Sequence, residues 1–387
     1  MARTVPASAS TVSPFRFEGP VEPADLIGRE RQTQQLADYA LAGRAMSIAA
    51  PRRYGKTSLL KAVGSRLEAE GCVVASVDLL GLDGPADFAT RYATAWRKAT
   101  ESDRRVRGAV QRVLAGLSGL GVTVAGVGVQ VSFARGQDPG AVLHTVLDLP
   151  RQVDRPVLVV LDEFQALHAA WPQGEGVLRG HVQQQLGRAS YVFAGSQPHL
   201  LEAAFADSGR AFYNQVLRVP LGRLAGPALA DAFTVLFEQT DRDPGLALSP
   251  LLALADGHPQ RAMFLAHLLW EQTPRSSTAD DSIWEAALMR ARTWVADEMA
   301  AVWAPLSRNQ QVALRAVAAH GSATVAAAGD TGVARSGRQA AETALLRLGL
   351  IELDAARTGP RGGARRRLVD PLLADWILRR SRRPLSR

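Results

Sequence analysis

Nine consecutive residues, Ala50-Pro51-Arg52-Arg53-Tyr54-Gly55-Lys56-Thr57-Ser58, separate a short apolar run, Ala45 to Ala49, from an amphipathic stretch that begins at Lys56. Their spacing is that of G-x-x-x-x-G-K-[ST], with Ala50 at the first glycine position. The order has a chemical reason. Backbone N–H groups of the loop and of the following helix N-terminus point at a phosphate group. Gly55 allows close backbone approach, Lys56 reaches the outer phosphates of a triphosphate, and Thr57 offers its hydroxyl to Mg²⁺. Arg52, Arg53, Tyr54 and Ser58 complete the cradle.

Such a loop needs a carboxylate partner. Val157 to Leu161 is a bare apolar run ending in Asp162-Glu163, as expected of a buried parallel strand whose C-terminal end faces a ligand. Asp162 is assigned to the metal, directly or through water, and Glu163 to polarising an attacking water as general base. A second buried run, Tyr191 to Ala194, ends in Gly195-Ser196-Gln197. Ser196, with Gln197 second, is the candidate sensor of the terminal phosphate. The base is expected to be adenine, because no Asn/Thr-Lys-x-Asp pattern of guanine readers surrounds Lys61 or Lys98. The implied cofactors are ATP and Mg²⁺.

The elements that hold these residues alternate between strand and helix, which predicts a parallel sheet with crossover helices. Strands are expected at Ala45 to Ala49, Cys72 to Leu79, Val157 to Leu161, Tyr191 to Ala194 and, weakly, Val216 to Pro220. Val113 to Phe133 carries no charge and is long enough to cross a bilayer. Its valines alternate about Ala125-Gly126, however, so a hairpin is expected and no membrane partner. After Leu221 the pattern turns helical, and the last stretch reads as helices followed by a two-stranded ribbon, a winged helix. The expected organisation is a flexible tail over 1–20, a nucleotide core over 21–223 with a hairpin insertion near 108–135, a helical lid and linker helix over 224–304, and a basic winged-helix domain over 305–387.

These segments resemble the archaeal-type ATPases of the signal-transduction (STAND) branch, near the AAA+ proteins. The resemblance is carried by Asp25-Leu26-Ile27-Gly28-Arg29-Glu30, the loop from Pro51 to Leu60, Leu161-Asp162-Glu163-Phe164-Gln165, Phe193-Ala194-Gly195-Ser196, Gly257-His258-Pro259 and Asp370-Pro371-Leu372, in family order. It implies an α/β fold: an ASCE/AAA+-like P-loop NTPase sheet, a helical lid and a C-terminal winged helix. It also implies that Leu26, Ile27 and Gly28 line the adenine pocket, that Pro259 packs on the base, that Arg261 acts as a sensor-2 arginine, and that Arg210 lies where relatives carry an arginine finger. The activity so implied is slow ATP hydrolysis by a nucleotide-controlled switch, with an unknown protein partner and nucleotide-dependent self-association.

Composition limits the alternatives. The 387 residues carry one cysteine, Cys72, and seven scattered histidines, which exclude a disulfide scaffold and a Cys-rich zinc site. No apolar leader opens the chain, so the cytoplasm is the expected compartment. The net charge of +8 resides wholly in Arg335 to Arg387, where 13 arginines face 5 acidic residues. Arg335, Arg338 and Arg347 are expected on or near the third helix of the winged domain. Arg357, Arg361, Arg365, Arg366 and Arg367 are expected in the wing loop, and Arg379, Arg380, Arg382 and Arg383 at the end. Gln339 is one of few polar groups on that helix able to read a base edge. The alternative function is therefore an ATP-licensed, initiator-like protein that contacts duplex DNA through the winged helix.

Overall fold

The computed structural model describes residues 12–117, 122–125, 128–131, 139–323, 334–358 and 364–382. They divide into two compact units. One comprises 22–52 and 56–222; the other comprises 1–21, 53–55 and 223–387.

The first unit is built on a five-stranded sheet. It contains, in chain order, α1 (Glu30–Leu41), β1 (Ala45–Ala49), α2 (Lys56–Ala69), β2 (Val73–Asp78), α3 (Pro85–Ala99), α4 (Arg104–Gly116), β3 (Val122–Ala125), β4 (Gly128–Val131), α5 (Pro139–Leu147), β5 (Val157–Asp162), α6 (Gln165–Ala170), α7 (Gly174–Gln185), β6 (Ala189–Gly195), α8 (Pro198–Ala206) and β7 (Leu217–Arg218). The spatial order is β2-β5-β6-β1-β7, with every pairing parallel. β6 is buried along its whole length and β5 at all but its last residue. That burial explains why Val157 to Leu161 and Tyr191 to Ala194 read as apolar runs rather than alternating ones; Ser190, near the start of β6, is buried with its hydroxyl donating to Val157 O (3.0 Å). β7 is only two residues long and exposed, shorter than the expected Val216 to Pro220. As an edge strand it pairs on one side only, through Met46 and Ser47 of β1.

The sheet order fixes the geometry of the site. β6 lies between β1 and β5, so the end of β6 stands between the loop that follows β1 and the carboxylates that end β5. The alternating valines pair as the antiparallel hairpin β3–β4, with Val124 opposite Val129. Its turn, residues 126–127, lies outside the described residues. Val129 and Val131 are buried in the core of this unit, and Val131 N donates to Thr90 Oγ1 of α3. Among the described residues no helix is long and apolar enough to cross a membrane.

The second unit contains α9 (Gly226–Glu238), β8 (Arg242–Asp243), α10 (Leu248–Ala255), α11 (Pro259–Gln272), β9 (Ser277–Thr278), α12 (Asp281–Trp303), α13 (Arg308–His320), α14 (Arg335–Arg347), β10 (Ile351–Thr358), β11 (Ala364–Leu368) and α15 (Pro371–Arg382). α13 opens with a capping box: the Ser307 hydroxyl accepts from Gln310 N, and Gln310 Oε1 accepts from Ser307 N. The antiparallel ribbon β10–β11 is longer than its apolar residues alone indicate. Cross-strand charge pairs, Glu352 opposite Arg367 and Asp354 opposite Arg365, continue it beyond Ile351 and Leu353. Helices α13 and α14 are followed by this ribbon and by the closing helix α15. The short helix expected between α13 and α14 falls outside the described residues.

Of the expected flexible tail, residues 1–11 lie outside the described residues, and residues 12–20 depart from it. Phe15 is buried against Phe233 and Phe237, with ring centroids 5.3 and 5.0 Å away, and Phe17 meets Phe264 at 5.2 Å. Two aromatic rings among Ser, Thr and Pro bury enough apolar surface to outweigh the flexibility of their neighbours.

Candidate functional site

The loop after β1 takes left-handed backbone at two positions, Arg53 (φ 67°) and Gly55 (φ 83°). No atom lies within 4 Å of where a Cβ on Gly55 would stand, so glycine is required there by conformation and the space in front of it is open. Ala50 has no positive φ; it is buried and its N–H donates to Gly195 O at the end of β6 (3.3 Å). This backbone does not require the glycine that the loop pattern calls for. Lys56 opens α2 and is 7% exposed; its Nζ donates to Ala50 O (3.1 Å) and more weakly to Pro51 O (3.5 Å). Burial pushes the ammonium pKa down, while Glu163 and Asp162 oppose that shift.

The carboxylates sit on a strained corner. Asp162 ends β5 and its Oδ1 accepts from Glu163 N (2.9 Å). Burial raises its pKa. Asp78, the last residue of β2, aligns with Asp162 across the ladder, a second carboxylate at the same edge that the sequence reading passed over. Glu163 has φ 54°, a conformation that costs a non-glycine residue on the order of 1–2 kcal/mol and must be held by its surroundings. Phe164 supplies part of the hold. It is buried, its N–H donates to Ala194 O (2.9 Å), and its ring packs on Phe193 (4.7 Å), Phe205 and Phe212. The Glu163 carboxylate accepts from Ser196 Oγ (2.7 Å), Ser196 N (3.3 Å) and Gln165 Nε2. Burial alone would raise its pKa; those hydrogen bonds and Lys56 outweigh it and hold the carboxyl below the usual range. Ser196 thus has its hydroxyl on Glu163.

This arrangement fits a magnesium-bound triphosphate. A buried cation stands behind an open, left-handed loop, and two carboxylates end neighbouring parallel strands. Among the described residues no group of three or more His, Cys, Asp or Glu could hold a metal unaided. Mg²⁺ needs only one or two protein carboxylates, its shell being completed by phosphates and water. Thr57, exposed on the first turn of α2, and Asp162 are the groups that would hold it.

The remaining candidates are distributed as follows. Leu26, Ile27 and Gly28 (φ 64°) are half-buried and follow a 3₁₀ turn, Pro23–Asp25, that packs on α2. Next to them Arg29 is buried and donates to Gly222 O (2.7 Å), tying the two ends of the first unit together. Arg210 is engaged by the buried carboxylate of Glu175. Pro259 is the first residue of α11. Before it, Gly257 (φ 71°) lies so close to Leu224 O that any side chain would collide. His258 caps α11 by accepting from Arg261 N (3.3 Å) and is buried, which pushes its pKa down to about 3. Arg261 is 3% exposed and donates to both oxygens of Asp370 and to Glu298 Oε2 (3.1 Å). Asp370 also accepts from Leu372 N (2.9 Å). The Asp-Pro-Leu signature is therefore a helix cap that holds an arginine of α11. Within the second unit the loop residues Arg53 and Tyr54 are also bound. Arg53 Nη1 donates to Glu298 Oε1 (2.7 Å), and the buried Tyr54 donates its hydroxyl to Glu352 Oε1 (2.8 Å) with its ring edge-on to His258.

The arginines expected in the wing loop need correction. Arg365, Arg366 and Arg367 lie on β11 and are half-buried. Arg366 Nε donates to Glu342 (2.6 Å) and Arg367 Nε to Glu352 (2.7 Å), which also accepts from Arg223 (2.9 Å). The alternation of the strand turns these side chains onto neighbouring carboxylates. Arg379 pairs with Asp375, and Arg380 lies over the Trp376 ring. Gln339 and Arg347 are exposed on α14, whereas Arg338 is half-buried. The side chains of Arg335, Arg357 and Arg382, and residues Arg361 and Arg383 entirely, lie outside the described residues.

No family model and no curated protein sequence matches the chain. Among solved structures it is similar to the Walker-type ATPase paby2304 of Pyrococcus abyssi, with TM-score 0.63 and 15% identity, covering 94% of this chain and 99% of that one. It is also similar to the Aeropyrum pernix ORC2 protein in its ADPNP–ADP complexes (TM-score 0.52, 17% identity, 94% and 97% covered) and in its ADP form (TM-score 0.51, 17% identity, 94% and 97% covered). At these identities the likeness is one of fold, and with the sheet order above it shows that the chain has the P-loop NTPase fold of the AAA+ type.

Proposed function

We propose that the protein binds ATP with Mg²⁺, hydrolyses it slowly, and acts as a switch that relays its nucleotide state to the C-terminal winged helix. The observation that carries the reading is the convergence of Lys56, Asp162 and Glu163 at one sheet edge beside the open left-handed loop. In this reading Lys56 and the loop amides bind the phosphates, Thr57 and Asp162 hold Mg²⁺, and Glu163 takes the proton of the attacking water. The bound Mg²⁺ would neutralise charge on the phosphates. Leu26, Ile27 and Gly28 would contact adenine.

The switch is supported by Arg53 and Tyr54, two residues of the phosphate loop whose side chains bond Glu298 of α12 and Glu352 of β10. Nucleotide that draws on the loop would act on those bonds. The similarity to a Walker-type ATPase and to ADPNP- and ADP-bound ORC2 agrees with the nucleotide part. Titration with ATP, ADP and a slowly hydrolysed analogue, each with Mg²⁺, followed by gel filtration of each state, tests both parts. The reading requires saturable binding and a nucleotide-dependent change of elution volume. Equal elution in all states would remove the switch, and absent binding the whole reading.

A second reading, duplex-DNA contact, is favoured by the exposed Gln339 and Arg347 on α14. The internal ion pairs of Arg366, Arg367 and Arg379 weigh against it. Binding to duplex DNA at two salt concentrations separates the two, because phosphate contacts give a steep negative salt slope.

A further inference from the structure

We propose that Gln165 is a positioning residue for Glu163. Its amide, seated in the space left by the absent side chain of Gly195, joins Ser196 in holding carboxylate oxygen Oε2, so that Oε1 is presented as the proton acceptor. The inference rests on the proposed role of Glu163 in ATP hydrolysis and names what aims it.

Three donors converge on one oxygen. Ser196 Oγ, Ser196 N and Gln165 Nε2 all donate to Glu163 Oε2, and among the described residues none donates to Oε1. The terminal torsion of a glutamate is broad and two-fold, so an unclamped carboxylate would exchange its oxygens and splay. Loading one oxygen fixes which of the two faces the solvent side. The left-handed backbone at Glu163 and the buried ring of Phe164 hold the Cα from below. Gln165 and Ser196 hold the far end of the side chain.

Two independent features indicate that Gln165 is kept for its amide and not for its volume. First, Gln165 Oε1 is buried and, among the described residues, accepts no hydrogen bond. A buried acceptor without a partner is unfavourable, and an apolar side chain of the same length would fill the space without that penalty. Second, Gly195 is not needed for backbone conformation, since its φ is not positive. A Cβ there would fall well inside contact distance of Gln165 Oε1, and 3.3 Å from Leu201 Cδ2. The glycine of the Phe-Ala-Gly-Ser run and the glutamine of the Asp-Glu-Phe-Gln run thus form one device, built from the ends of two adjacent strands.

The test uses the full chain and four changes: Gln165→Met, which keeps length and removes the donor, Gly195→Ala, which crowds the amide from the backbone side, Gln165→Ala, and Gly195→Ala combined with Gln165→Ala. Steady-state hydrolysis, affinity for a slowly hydrolysed ATP analogue with Mg²⁺, and thermal midpoint are measured for each. Expected for Gln165→Met is a kcat lower by about 10- to 100-fold, with KM, analogue affinity and thermal midpoint close to the parent. Gly195→Ala should lower kcat and the thermal midpoint, and its effect on the midpoint should shrink when Gln165 is also alanine, the signature of contact between the two sites. Parent turnover with an unchanged kcat in Gln165→Met overturns this proposal alone. So does a thermal penalty of Gly195→Ala that is the same with and without the Gln165 side chain. A parent that binds no nucleotide overturns the ATP reading and this proposal with it.

Discussion

His258 links the stability of the second unit to pH, and the size of the effect follows from its burial. The ring is 2% exposed, edge-on to Tyr54, and near Asp370, Arg223 and Arg261. Desolvation is the largest influence and lowers its pKa from 6.5 to about 3; Asp370 opposes it, and Arg223 and Arg261 add to it. The folded protein therefore keeps His258 neutral where the unfolded chain binds a proton. A depressed folded-state pKa gives stability that is complete above about pH 6.5 and is lost as pH falls toward 3. One pKa unit corresponds to about 1.4 kcal/mol, so between pH 7.5 and pH 5.0 this one group should remove about 2 kcal/mol. His258→Asn retains a side-chain oxygen to accept from Arg261 N and has no titrating group. Urea unfolding followed by tryptophan fluorescence suits the measurement, since five of the seven tryptophans, Trp270, Trp284, Trp294, Trp303 and Trp376, lie in this unit. The parent should lose about 2 kcal/mol more than the variant across that range. Equal losses in the two proteins would show that His258 is not held neutral, and with it that the cap of α11 is not the neutral acceptor described.

Lys56→Ala should abolish ATP binding by calorimetry, because it removes the buried ammonium that offsets both the incoming phosphates and the carboxylates Asp162 and Glu163; parent-like affinity would move the site elsewhere. Glu163→Gln should keep nucleotide affinity and lower single-turnover hydrolysis by about 10²–10⁴-fold, the usual worth of a general base; an undiminished rate would assign the base to another group. Asp370→Asn keeps the shape of the α15 cap and one acceptor oxygen but leaves Glu298 as the only anion paired with Arg261 among the described residues. Removing one partner of a buried pair costs about 3–5 kcal/mol, so a loss near 3 kcal/mol in urea unfolding is expected, and a neutral outcome would mean that Arg261 is solvated.

What could be read in the sequence followed from burial. β5 and β6 are covered on both faces, so β5 is apolar up to Asp162, and β6, after the buried Ser190 near its start, carries no further charged or small polar residue up to Ser196. The edge strand β7 lacks that constraint, and its apolar run says little about where pairing stops. The contents of the Asp-Glu-Phe-Gln and Asp-Pro-Leu signatures were visible, but not their partners. Gln165 meets Gly195, and Asp370 meets Arg261, across distances in the chain that no local pattern encodes. Charge misled in the opposite direction. An excess of arginine looks like a binding surface until Glu342 and Glu352 are found opposite Arg366 and Arg367.

Phe15 carries a consequence for how the chain is made. Its ring is enclosed by Phe233 and Phe237, which leave the ribosome roughly 200 residues later. At about 5–20 residues per second that is a wait of roughly 10 to 40 s. During this time the first unit, synthesised without interruption through Gly222 except for residues 53–55, has all the strands of its sheet available. The ring of Phe15 therefore has neither of these partners until α9 has been made, although the rest of its unit, α10 to α15, is made later still.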